Sequence, residues 1–328
     1  MKYALDELLD EHEPGAMRPV PLRPVQRPVS SAPHPIRRLE VSEDGAFLFV
    51  AREGGGEPLA YSLINLRDGE TRWEYRDPCC AGSPPRWSVR LGADGAALLL
   101  GFGPDAPAQL LSPSGALSLV EGGDPELRWA PGGRWFGGAG GAWSADGERM
   151  SGPPLPEAEL NLVLPGPREG TLRLVADGVL YTWDGQTPPA SEGLGPDVND
   201  LNQARLSEEG YFPPRPAPDG QHLAAHDRLD PSRVRVLSLD GEEREEVPAF
   251  VRAVAWSSPT ALWALVANGE APGEITRVEL QSRDFAGGPA TPLPWPQGER
   301  ASALAAAIKP PALYVGTEEG NVYRIDLP

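Results

Sequence analysis

From residue 36 onward, short apolar runs alternate with turns built on Gly, Pro and Asp. The clearest unit is Ile36 to Ala51, IRRLEVSEDGAFLFVA, which reads as a strand, an Asp44-Gly45 turn and a second strand. Degraded copies follow as WSVRLGADGAALLLGF, LRWAPGGRWFGGA, LNLVLPGPREGTLRLVA, RPAPDGQHLAAHD, VRAVAWSSPTALWALVA and LAAAIKPPALYVGT. A repeat seen about seven times at roughly 40–50 residues is the period of propeller blades. The runs are short and rich in Val, Leu and aromatic residues, which favours strands over helices.

Walking the copies predicts an all-β chain: a seven-bladed β-propeller over residues 36–328, with four antiparallel strands in each blade. The first blade takes strands near Ile36–Val41, Phe47–Arg52, Ala60–Asn65 and Thr71–Tyr75. The second runs from Trp87 to about Val120, and the third, short and glycine-rich, from Glu126 to about Ser151. The fourth starts near Glu159, the fifth near Arg215 and the sixth at Val251. The seventh opens near Ala303 and shows only three strands before the chain ends. An open sheet edge invites pairing with other chains, so the fourth strand is expected from the N-terminal segment, within Pro19–Val29.

Most third strands end at an Asp that leads into a turn: Asp68-Gly69, Asp146-Gly147, Asp184-Gly185, Asp240-Gly241, Asp284 and Asp326. The fourth blade ends that strand in Trp183-Asp184. On these residues the chain resembles the WD40-like propeller superfamily, from Ile36 to Leu327. Its Ser-x-Asp-Gly and Pro-Asp-Gly turns are also similar to those of bacterial TolB-type and YVTN-type propellers. Only one blade has the Trp-Asp pair and none has the Gly-His of WD40 repeats, so that family's Asp–His network does not carry over.

Two segments precede the repeats. Residues 1–13 read as an acidic amphipathic helix with Leu5, Leu8 and Leu9 on one stripe, which lies on the chain's own propeller or docks in a partner's groove. Residues 14–35 are rich in Pro and Arg and predict an extended path. Arg18, Pro21 and Pro24 fit an Arg-x-x-Pro-x-x-Pro ligand, although a closing edge strand, where proline is tolerated, is the preferred reading.

Net charge of −18 opposes nucleic-acid binding, which needs clustered cations. No apolar run reaches the ~20 residues of a membrane span, and the N-terminus lacks the layout of a signal peptide. The expectation is a cytoplasmic protein, monomeric by itself, of bacterial origin on its Arg-over-Lys and Ala, Gly and Pro bias. Cys79 and Cys80 are neighbours, read as reduced loop thiols. His222 and His226 fall on a strand, ~13 Å apart, too far to share a metal. No phosphate loop, nucleophile elbow or Cys–His pairing is visible, so no catalytic residue, metal or cofactor is expected.

Arginines near the starts of the innermost strands, Arg37, Arg38, Arg86, Arg128, Arg215, Arg252 and Arg300, are expected to form a basic rim for an anion or a partner's acidic segment. Only the fourth blade, with Glu159 and Asn161, breaks the set. The long connection Pro188–Pro214 adds apolar anchors at Leu201, Tyr211 and Phe212, by topology on the same face. The sequence therefore predicts a non-enzymatic scaffold that binds other proteins. The alternatives are a lactonase-, hydrolase- or lyase-type propeller enzyme with a channel-top site, and a sensor of a small anion.

Overall fold

The computed structural model describes residues 30–327, except 32–33, 55–56, 78–86, 102–107, 124–126, 159, 195–214, 227–232, 240–242, 249, 259–260, 269–276, 285–290 and 294–298. The helix expected over residues 1–13, the closing strand expected in Pro19–Val29 and both cysteines fall outside these. Among the described residues there is no helix. Every strand belongs to a small antiparallel four-stranded sheet, and the sheets are arranged as propeller blades. Six of the sheets are made of consecutive strands, beginning with Ile36–Val41, Phe47–Gly54, Glu57–Asn65 and Thr71–Asp77.

The exception is the sheet holding the chain's last strands, Ala301–Ile308, Pro311–Thr317 and Asn321–Asp326. Its fourth strand is Ser30–Ser31, pairing antiparallel through Ser30 with Val322 and Ser31 with Asn321. The described pairing thus lies just beyond the expected Pro19–Val29. Serines, unlike the prolines before them, can donate to the ladder.

The near-continuous apolar runs follow from burial on both faces. In the first sheet the second strand is buried throughout from Leu48 to Ala51. Its side chains alternate: Phe49 and Ala51 pack with Val89, Ala97 and Leu99 of the second sheet, while Leu48 and Val50 pack with Ala305, Ala312 and Tyr314 of the last. The same sorting recurs between every consecutive pair, as with Phe136 facing the second sheet and Trp135 the fourth. With period-two alternation, each strand supplies both of its neighbours.

Polar contacts also join first and last sheets. Ser302 Oγ donates to the Ile36 carbonyl at 2.6 Å. The Asp44-Gly45 turn is held locally: Asp44 Oδ1 accepts from Ala46 N and from Ser42 Oγ, at 3.0 and 2.7 Å. Gly45 has φ +66°, and a Cβ there would sit 2.5 Å from the Lys309 carbonyl oxygen in the last sheet's turn. Between the fourth and fifth sheets a buried Arg173 takes this role, donating to Glu192 at 3.0 Å and to the Gly220 carbonyl at 3.2 Å.

This contact separates two glycines of similar backbone geometry. Gly69 has φ +74° but open space around it. Gly69→Ala should cost about 1 kcal/mol from conformation alone, and Gly45→Ala on the order of 2–4 kcal/mol because the last sheet must also move. Urea unfolding of the two variants measures the difference, and equal losses would count against close approach of the first and last turns.

Candidate functional site

The inner strands end at a common level, set by the hydrogen bond that opens each inner turn. Ser42 N donates to Phe47 O, Gly92 N to Ala96 O, Ala130 N to Trp135 O and Ala217 N to His222 O. Two residues before these positions stand Glu40, Arg90, Arg128 and Arg215. In the fourth and sixth sheets, whose turns open at Gly166 and Ser257, the corresponding residues are Leu164 and Ala255. These strand ends and their turns surround one cavity of about 760 Å³ to which all seven sheets contribute.

Arg215 Nη1 reaches Glu40 Oε2 at 2.5 Å. The two residues belong to the fifth and first sheets, which are not neighbours, so the pair spans the channel. Each side chain is only 20% exposed, and such a pair is screened far less than one on the surface. Arg38 joins this group one turn of the pleat further in. Its pKa is pulled down to about 10, first by burial and then by the charges of Arg215 and Arg90, with Glu40 acting the other way. It remains cationic at neutral pH. Arg128 is 8% exposed and lines the same cavity.

Two indoles hold the arginine-bearing strands in place. Trp129, the residue after Arg128, donates from Nε1 to the Arg90 carbonyl at 3.0 Å. Trp256 does the same to the Arg215 carbonyl at 2.8 Å. Each tryptophan reaches back to the preceding sheet, so packing between sheets sets the height of the guanidiniums.

No protein-family model matches the chain, and no curated protein matches it. The site is therefore read from its geometry alone.

The arginines expected at one rim are at different levels. Arg128 and Arg215 open their strands, but those strands pair over only two residues before the turn, which puts both at the turn end of the channel. Arg38 is drawn into the same group. Arg37 is exposed at a strand start. Arg300 is exposed ahead of its strand, 3.3 Å from Glu318. Arg86, Leu201, Tyr211, Phe212, Leu5, Leu8 and Leu9 lie outside the described residues, and Arg252 is described only in its backbone, within Phe250–Trp256. The arginine not foreseen is Arg90. Counting back from each Gly-containing turn, rather than forward from each strand start, would have aligned it with Glu40, Arg128 and Arg215.

Other candidate chemistry is sparse. His222 and His226 share the strand His222–His226, and the His222 ring lies 6.3 Å from the Trp256 ring. Among the described residues no group of three or more His, Cys, Asp or Glu is placed to hold a metal ion, and no helix is long and apolar enough to cross a membrane.

A double-mutant cycle tests the pair across the channel. Arg215→Met and Glu40→Met, made singly and together, should give a coupling energy of about 1–3 kcal/mol in chemical denaturation, as for hydrogen bonds between charged groups. A coupling indistinguishable from zero would mean that the two side chains do not meet in solution.

Proposed function

We propose that the chain is a closed, seven-bladed propeller of WD40-like type that works as a non-enzymatic interaction scaffold for other proteins. The observation that carries this reading is the cycle of apolar interfaces. Seven buried clusters each join two sheets, and one of them joins the last sheet to the first through Ile36, Leu39, Tyr314 and Val322. Such a ring holds its turns and outer strands at fixed distances, so a partner meets a surface that is already ordered and loses little binding energy to rearrangement. Propellers commonly serve protein interaction, and function in them lies in sites carried by the fold rather than in the fold itself.

The N-terminal segment extends the reading. Residues 1–13 with Leu5, Leu8 and Leu9 offer an apolar stripe to a partner groove, and Leu201, Tyr211 and Phe212 offer a second contact. Alone, the protein is a cytoplasmic monomer in a bacterial cell.

Size measurement in native extract is the test. The recombinant chain should elute near its 35.0 kDa mass, and the same chain in extract of its source organism should elute in a larger assembly. Residues 1–13 deleted should shift part of it back to the smaller size. Elution of the native protein as a lone chain, with turnover of a lactone or ester substrate, would replace the scaffold with an enzyme.

A further inference from the structure

We propose that the proline-rich run Arg18–Val29 of this chain lies in the wedge between the outer strands of the first and second sheets, as a polyproline helix packed on Leu117, Leu119 and Tyr75. The inference does not rest on the scaffold reading, since the seat holds whether or not residues 1–13 meet a partner.

The wedge is built by burial that fails at the rim. On the face of the second sheet turned toward the first, cross-strand rows run outward as Ala97, Leu111, Leu117 and as Leu99, Gln109, Leu119. Ala97, Leu99 and Leu111 are buried in one cluster with Phe49, Tyr61 and Trp73 of the first sheet. The rows end in Leu117 at 38% and Leu119 at 58% exposure, two of the three exposed large apolar side chains among the described residues. Trp73 and the half-buried Tyr75 form the opposite wall. Of the other outer strands, four carry charged residues, Thr291–Leu293 a proline and Ser30–Ser31 only hydroxyls. Charge and proline are what normally protect a sheet edge, and Leu117–Leu119 has neither.

One donor in this wall lacks an acceptor. Trp129, Trp135 and Trp256 each donate from Nε1 to a carbonyl of another strand or turn. Trp73 Nε1 is buried and has no hydrogen-bond partner. A Cβ on Gly115 would lie 3.9 Å from Trp73 Cδ1, so the edge of the indole that carries the nitrogen faces the turn leading into Leu117. Buried N–H groups are nearly always paired, and a chain laid beside Leu117 brings backbone carbonyls to this edge.

The occupant follows from the sequence ahead of Ser30. A polyproline helix repeats every three residues, which puts Pro19, Leu22, Val25 and Pro28 on one edge, all apolar, with Arg18, Pro21, Pro24 and Arg27 on the next. Proline cannot donate to a ladder, so the run suits a groove of aromatic and aliphatic side chains better than a sheet edge. The described closing ladder starts only at Ser30, on the last sheet. Twelve residues at ~3.1 Å each reach about 37 Å, whereas the wedge is one and a half sheet spacings away, about 15–25 Å. With three arginines and no carboxylate, the run also suits a chain of net charge −18, and Glu121 is exposed two residues past Leu119. Tethering holds the run near a millimolar effective concentration, on the order of magnitude expected for a short linker, which favours it over the same run of a second copy.

Photo-cross-linking of the full chain tests this, with p-benzoylphenylalanine in place of Leu119 or, as a control, of Met150 on the third sheet. Irradiating the Leu119 probe should join it to residues 14–29 within a product of 35.0 kDa, mapped by mass spectrometry after cleavage at glutamate. The Met150 probe should not capture that segment. Leu22→Asp and Val25→Asp together should lower the yield about tenfold or more, since they remove the apolar edge. Absence of the cross-link overturns the proposal, as does equal capture by the Met150 probe. So does a product of twice the mass that joins two chains, or a yield that the two aspartates leave unchanged.

Discussion

The structure depends on one constraint: the second strand of each sheet is buried on both faces, and its alternate side chains belong to different interfaces. Leu48 and Val50 serve one neighbour, Phe49 and Ala51 the other. A slip of one residue in pairing would send each side chain to the wrong interface, so register is fixed from both sides at once. Replacing Leu48 or Phe49 by Ala would cost on the order of 2–5 kcal/mol, and the loss would be felt by two sheets. The constraint also explains why the last sheet needs Ser30–Ser31. Its outer edge is completed by a strand from the other end of the chain, and an apolar interface packs the last sheet on the first.

This constraint is what made the fold legible. Five or so apolar residues in a row, as in FLFVA and ALLLG, are too short for a buried helix and too uniform for a half-exposed strand. Asp-Gly turns then supplied the spacing, and the strands Ile36–Val41 and Asn321–Asp326 begin where the pattern places them. What the pattern could not show was depth along the channel. Inner strands differ in paired length, from two residues at Arg128–Trp129 to eight at Ala301–Ile308. Strand starts therefore scatter, while the turns stay level because their glycines and carboxylates pack on neighbouring turns. Reading arginines from the starts grouped Arg300 with Arg215 and left out Arg90. Arg173 was missed for another reason: its partners Glu192 and Gly220 lie 19 and 47 residues away, and nothing local announces them.

The channel inherits its geometry from the interfaces. Trp129 and Trp256 are core residues that happen to donate to the carbonyls of Arg90 and Arg215. Shifting either indole would therefore move a guanidinium, and packing changes far from the cavity are coupled to its electrostatics. The same coupling explains the low pKa of Arg38, about 10: burial disfavours its charge, and two further guanidiniums held at fixed heights add to that.

Burial at this level does not require charge. Apolar residues occupy the same level in two sheets, where Leu164 and Ala255 are buried and pack on the following sheet. Replacing a buried ion pair by well-packed apolar side chains is often neutral or stabilising, so Arg215 and Glu40 are not what stability alone would select. The pair is thus a constraint on geometry as much as a source of stability, tying the fifth sheet to the first across the channel.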